Sequence, residues 1–366
     1  MELERPAKYL QVSALLERRI LHGDYLLKEF PTDRALSAEF QVDTRTARKA
    51  VACLIESGLL VRQSNGRPVV AGGMHRDKGL LRIAFLSVSY PSPYTWRWQR
   101  SIEQAAERRG WMLRLVTYTH MDDPIILDTL EGFDAAFMGL PGVDPSDHLI
   151  RTIRRAGRPV VFLDADVSSH GFPSLWLAAP LLTTSLLEHL SDLGHRSIAC
   201  LNTQPHNAVT EMRIQTWQEW TALRGMQGVL IDEPVEPSES PTERAYTAAK
   251  QAIEHGRLRD TALLCCTSPA AKGVYRAMHE CGLRVGRDIA ICSSDDGAGE
   301  APYFIPSLTS MQDCDPGPYL SVCLDWFAGG GRNWKGPLLV QPGGAPMFVG
   351  ESTQSSRPGT SDRGSN

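Results

Sequence analysis

The sequence predicts an α/β protein of two unequal parts: a small basic helix-turn-helix unit closed by a β-hairpin over residues 1–72, and a larger domain of parallel sheets over residues 81–350. Three observations lead there. The first 72 residues spell three helices and a hairpin. From residue 81 onward, apolar strand-like runs alternate with amphipathic helical stretches, the pattern of parallel sheets covered on both faces. Charge is unevenly divided: residues 1–80 hold 13 Lys/Arg against 10 Asp/Glu, net +3, and the remainder is net −7 within a total of −4.

In residues 7–22, Val12, Leu15, Leu16 and Ile20 recur at helical spacing and Gly23 supplies a stop. Pro31-Thr32-Asp33-Arg34 opens a second helix, with Thr32 as N-cap and Ala35, Leu36 and Phe40 inward. A third helix is predicted over residues 44–57. At 100° per residue its Ala47, Val51 and Leu54 form a buried stripe, and Arg45, Arg48 and Lys49 project from the opposite side. A DNA major groove admits one α-helix, and cations on its N-terminal half reach phosphates and guanine edges. Residues 59–63 and 68–71 read as strands around an Asn65-Gly66 turn, which places Arg62 and Arg67 beside a DNA backbone.

Three motifs now stand together: Phe30-Pro31-Thr32-Asp33-Arg34-Ala35-Leu36-Ser37, Val42-Asp43-Thr44-Arg45-Thr46-Ala47-Arg48-Lys49-Ala50, and Glu56-Ser57-Gly58-Leu59-Leu60. Over residues 7–71 the chain resembles the GntR-type winged helix-turn-helix, with the hairpin as wing. The resemblance implies duplex DNA as partner and a DNA role for Arg34, Thr46 and Arg48. The arginine that such domains carry early in the recognition helix falls on Thr44, with Arg45 one place later, so both are candidates. Lys49, Arg62 and Arg67 complete the predicted interface.

After a polar linker at residues 73–80, strand-like runs occupy 82–88, 113–118, 133–138, 159–164, 197–202, 228–231, 262–266 and 289–293. Helical stretches at 98–109, 145–156, 181–193, 211–224, 242–255 and 269–281 lie between them. Ligands of such sheets bind beyond the C-terminal strand ends. The first run is followed by Pro93-Tyr94 and Ser101-Ile102-Glu103-Gln104-Ala105-Ala106. Further on stand Arg158-Pro159-Val160-Val161-Phe162-Leu163-Asp164, Leu193-Gly194-His195-Arg196, Asp295-Asp296 and Pro306-Ser307-Leu308-Thr309-Ser310. On these motifs residues 81–350 resemble the LacI/GalR-type effector domain, a periplasmic-binding-protein-like fold. The resemblance implies two lobes, 81–177 with 313–330 and 178–311 with 332–350, joined by three crossovers and closing on a small molecule.

The same resemblance places Arg213, with Trp217, and Asp295 where a sugar's hydroxyls are held; a guanidinium and a carboxylate offer paired donors and acceptors, and an aromatic face covers a ring. Tyr94, Trp96 and Trp98 follow the first strand and Asp164 ends a strand at the cleft edge, so they join the effector set. Each has a structural alternative: a solvated helix residue for Arg213, a cap for Asp295, core packing for the aromatics. Trp176 lies at a predicted crossover, as hinge packing or stacking platform. Where the family carries Asp-Asn and Ala-Asn-Asp, this chain reads Ala178-Ala179 and Cys266-Thr267-Ser268. The expected ligand is therefore less polar than a common monosaccharide, or none is needed.

Bulk properties fit a cytoplasmic regulator. The 366 residues exceed one ordinary core, no apolar run approaches a membrane span, and Met1 to Arg5 is unlike a secretory signal. None of the eight cysteines forms C-x-x-C, and adjacent Cys265 and Cys266 on a strand face opposite ways, which argues for reduced thiols and against a metal. Lys78, Lys250, Lys272 and Lys335 sit in no Schiff-base context and no G-x-S-x-G or H-E-x-x-H occurs, so neither catalytic residues nor a cofactor are expected. The rival classes are a regulator without ligand and an enzyme built on the α/β domain. One winged helix reads few base pairs, so a homodimer on a pseudo-palindromic operator is expected, acting as a repressor by analogy of fold. The Ser/Arg/Gly-rich residues 351–366 are expected to be disordered.

Overall fold

The computed structural model of the chain describes residues 7–353, apart from 22, 26–28, 72–79, 90–92, 143 and 237–238 and the side chains of 21, 93 and 94. The expected linker lies outside the described residues except for Leu80, and so do residues 354–366 of the expected tail.

The N-terminal unit is built from α1 (Lys8–Leu21), α2 (Asp33–Phe40), α3 (Thr44–Glu56) and the hairpin β1 (Leu60–Arg62) with β2 (Pro68–Val70). Local chemistry sets its ends. Thr32 caps α2 by accepting from Ala35 N at 3.3 Å, and Asp43 caps α3 by accepting from Thr46 N at 2.8 Å. Gly66, at φ +81°, closes the hairpin with a conformation that a side chain would strain. Val12, Leu16, Ile20, Leu36, Val51 and Leu54 form one core. Ala35, expected inward, is exposed, and so is Leu15 of the apolar set on α1, because their neighbours Leu36 and Leu16 fill the buried faces.

Two six-stranded sheets follow. The first, in the order β13-β7-β6-β5-β3-β4, combines β3 (Arg82–Val88), β4 (Met112–Tyr118), β5 (Ala135–Gly139), β6 (Val160–Leu163), β7 (Ser174–Leu175) and β13 (Leu339–Val340), all parallel. Helices α4 (Pro93–Glu107), α5 (Pro124–Gly132), α6 (Asp147–Ala156) and a later helix, Gly317–Ala328, belong to this lobe. Apolar clusters line both of its faces, as parallel strands require.

The second sheet, in the order β14-β12-β11-β10-β8-β9, uses β8 (Ile198–Asn202), β9 (Leu230–Asp232), β10 (Ala262–Cys265), β11 (Ala290–Ser293), β12 (Thr309–Met311) and the antiparallel edge β14 (Met347–Phe348). Helices α7 (Pro180–Asp192), α8 (Ala208–Leu223), α9 (Pro241–Glu254) and α10 (Ser268–Glu280) cover it; the helix at Gly317–Ala328 is thus α11. Gly273 lets α10 meet α9, since a Cβ there would stand 2.4 Å from Thr242 O. Cys265 and Cys266 do face opposite ways, into separate clusters.

The chain passes between lobes after β7, after β12 and after β13. Two expected boundaries move. β13 pairs with β7, so the third passage comes after residue 340, and the segment 332–340 belongs to the first lobe. Residues 351–353 are ordered within the second lobe: Ser352 Oγ donates to Ile291 O and accepts from Thr309 N, and Thr353 Oγ1 meets His189 Nε2 at 3.0 Å. Polar composition hid this because the segment packs through backbone groups and hydroxyls, which leave no apolar period.

Candidate functional site

Two regions carry functional chemistry. On the N-terminal unit, α3 presents Thr44, Arg45, Arg48 and Lys49 to solvent, with Thr46 half-buried and Arg34 exposed on α2. Thr46 Oγ1 donates to the capping carboxylate of Asp43 at 2.7 Å, which with the Thr46 backbone N–H holds that carboxyl below the ordinary range. Three cations have single intramolecular partners: Arg48 Nε meets Asp33 Oδ2 at 3.1 Å, Arg67 Nη1 meets Glu29 Oε1 at 2.9 Å, and Lys49 Nζ stands 4.0 Å from the centre of the Tyr9 ring. Arg62 Nη1 donates to Gly66 O at 2.8 Å and braces the wing. Helix and hairpin present these cations at the surface, where phosphates can replace weak exposed partners.

The second region is a cavity of about 790 Å³ lined from both lobes. Of the expected effector set, Trp98, Asp164, Arg213 and Asp295 line it. Arg213, from α8, is buried and already holds three acceptors: Cys266 O at 2.6 Å, Asp295 Oδ2 at 3.3 Å and Ser294 O at 3.5 Å. Asp295 accepts from Ser268 N at 3.0 Å with its other oxygen, which makes it the cap of α10 as well as a cavity residue. Asp164, at φ +52°, accepts from Leu177 N at 3.1 Å and from Trp98 Nε1, so it ties the end of β6 to the first crossover.

Three members of the expected effector set stand elsewhere or go undescribed. Trp217 lies in the second-lobe core and donates its Nε1 to Ile198 O at 2.9 Å; it shares a face of α8 with Arg213 but stands one turn further along, against the start of β8 rather than the strand ends. Trp96 is 56 % exposed and stacks beneath Arg100 rather than lining the cavity. The side chain of Tyr94 lies outside the described residues. Trp176 donates to Ala178 O at 2.8 Å, as hinge packing.

The cavity also contains residues the sequence did not single out. Arg97 of α4 pairs with Asp313 and donates to Cys314 O at 2.7 Å, which ties the first lobe to the second crossover. Burial pushes the Asp313 carboxyl up to about 6 against the opposing pull of Arg97, and the nearby Asp296 and Asp295 push the same way. His206 is flanked by Glu211 and by Asp232 Oδ2 at 3.2 Å, and the Glu211 bond chiefly raises its pKa. Position just past a strand end could have flagged Asp313 and His206, whereas Arg97 stands on α4 and carries no such signal. Among the described residues no group of three or more His, Cys, Asp or Glu is arranged to hold a metal ion, and no helix is long and apolar enough to cross a membrane.

The family profile described as "Bacterial regulatory proteins, gntR family" matches residues 8–70, and "Periplasmic binding protein-like domain" matches residues 187–313. The chain is similar to the lactose operon repressor of Escherichia coli, 29% identical over 127 residues, 35% of this chain and 34% of that one. It is also similar to the HTH-type transcriptional repressor PurR of Vibrio vulnificus, 30% identical over 124 residues, 34% of this chain and 36% of that one. These alignments span about a third of both relatives' length. Among solved structures, a dimeric Lac repressor with a C-terminal deletion shares the fold at a TM-score of 0.63 and 20% identity, over 75% of this chain and 99% of that one. A LacI family transcriptional regulator from Enterococcus faecium with bound ribose does so at 0.62 and 16%, over 75% and 100%.

Proposed function

We propose that this chain, which joins a gntR-type winged helix to a periplasmic-binding-protein-like domain, is a transcription repressor whose operator binding is controlled by a small effector in the interlobe cavity. The observation that carries this is the union, in one chain, of a surface with exposed cations on α3 and the wing and a cavity walled by both lobes. The operator is duplex DNA, bound through phosphates by Arg34, Arg62 and Arg67 and through base edges from Thr44, Arg45, Thr46, Arg48 and Lys49. The effector is a sugar or sugar derivative, in keeping with the ribose-bound and lactose-operon relatives. A molecule touching both lobes binds the closed arrangement better than the open one, and that difference alone shifts the spacing of two winged helices.

The working unit is a homodimer on a pseudo-palindromic site, in the cytoplasm where its DNA is, and it acts by binding rather than by catalysis. The test is selection of a duplex from a random pool by the full chain, followed by affinity measurements with Arg48→Ala and Arg67→Ala together. Loss of specific binding in the double variant is expected, and wild-type affinity would remove the DNA assignment. Light scattering of the complex should give two chains per operator; one chain per site would remove the dimer.

A further inference from the structure

The ionisable side chains described along the cavity are all engaged by the protein itself. Among the described residues six such side chains line it, three that carry or can take a positive charge (Arg97, His206, Arg213) and three carboxylates (Asp164, Asp295, Asp313). Arg213 holds Cys266 O, Ser294 O and Asp295; Asp295 also caps α10; Asp164 holds Trp98 and Leu177 N; His206 lies between Glu211 and Asp232; Arg97 and Asp313 hold each other. An anionic ligand would have to draw a cation away from carboxylates already bound to it, and would lie beside the remaining carboxylates in a space that excludes water when the lobes close. A cationic ligand faces the converse conflict.

Much of the remaining wall is apolar. The first lobe contributes Phe85, Val88, Leu140 and Leu163. The second contributes Pro205, Pro241 and Pro269, residues without a backbone N–H to offer. Uncharged hydroxyls on Ser87, Thr119 and Thr267 and the Gln204 amide stand among them, while the Asn207 amide is taken up as the cap of α8, accepting from Val209 N and Thr210 N and donating to Pro205 O. The volume of about 790 Å³ falls in the upper half of the range for sites that enclose a drug-sized molecule, more than a single sugar ring fills.

We infer that the effector is an uncharged amphipathic glycoside, a sugar carrying an apolar aglycone, rather than a free monosaccharide or an anionic sugar. This rests on the effector reading proposed above and narrows it. The hydroxyls of the sugar meet the uncharged polar groups, and the aglycone covers the aliphatic and proline wall.

The test is calorimetric titration of the full chain, without DNA, against three probe sets: the phenyl β-glycosides of glucose, galactose, mannose and xylose, the four free sugars, and the 6-phosphates of the three hexoses. At least one phenyl glycoside is expected to bind about tenfold or more tightly than its free sugar, the scale set by burying a phenyl ring. No phosphate is expected to bind more tightly than its parent sugar. A free sugar or a phosphate that matches or exceeds every phenyl glycoside overturns the inference and leaves the effector reading standing. Absence of binding by every probe overturns both. Leu140→Gln should reduce the preference for the phenyl compound; an unchanged preference would remove the aglycone from this wall and overturn the assignment.

Discussion

The cations of the winged helix and those of the cavity are arranged in opposite ways. Arg48 and Arg67 each face one carboxylate, and their side chains are 68 % and 39 % exposed. Arg213 is 8 % exposed at its side chain and holds two backbone carbonyls besides Asp295. An exposed pair contributes little and exchanges its partner readily, which suits a surface that must trade carboxylates for phosphates. A buried, multiply bonded guanidinium cannot do that. In the cavity, charge is scaffolding that fixes where α8, β10 and the loop after β11 meet.

The largest effect that would break this contrast belongs to Arg213. Arg213→Ala leaves two buried carbonyls and a carboxylate without their donor and is expected to cost about 3–5 kcal/mol of stability in chemical denaturation. A wild-type midpoint would show that the residue is a ligand handle and not scaffolding. Next comes Asp164→Ala. It orphans Trp98 Nε1 and Leu177 N and leaves an alanine at φ +52°, for an expected loss of about 2 kcal/mol. Asp164→Asn, which tolerates that backbone and keeps an acceptor, should recover part of it.

A smaller, pH-dependent effect comes from Asp313. Its carboxyl sits near 6, above the ordinary 3.8, so the folded chain holds that proton more tightly than the unfolded chain. The stability conferred by the proton is complete below the ordinary value and is lost as pH rises through about 6. Denaturation midpoints measured from about pH 4 to about 7 should therefore fall less steeply in Asp313→Asn than in the parent. Equal slopes would mean that Arg97 already compensates the burial. The smallest stability effect is expected at the surface: Arg67→Ala should change stability by no more than about 0.5 kcal/mol. It should also lower the salt dependence of DNA binding by about one unit of slope. A large loss of stability there would erase the distinction between the two regions.

Much of this was legible in the sequence. The eight apolar runs, the three N-terminal helices and the Asn65-Gly66 turn follow from side-chain period and from caps such as Thr32 and Asp43, which act within a few residues. The short strands Ser174–Leu175, Leu339–Val340 and Met347–Phe348 were not, since two residues show no period. Arg213 and Asp295 were placed at the cavity by resemblance, and Trp217 was misplaced by the same route, because one further turn of α8 carries it from the strand ends down to the start of β8, a depth that the resemblance does not record.

What the sequence by itself determined is local: where helices and strands begin, which face of α3 is basic, and that two parallel-sheet lobes follow a winged helix. The tertiary structure decided which charges find which partners. Arg97 meets Asp313 across 216 residues, Arg213 meets Asp295 across 82, and Ser352 enters the second lobe 61 residues beyond Ile291. No periodicity records such pairings. Each depends on two crossing segments arriving within about 3 Å of each other, a distance set by the packing of whole sheets and not by the residues that end up touching.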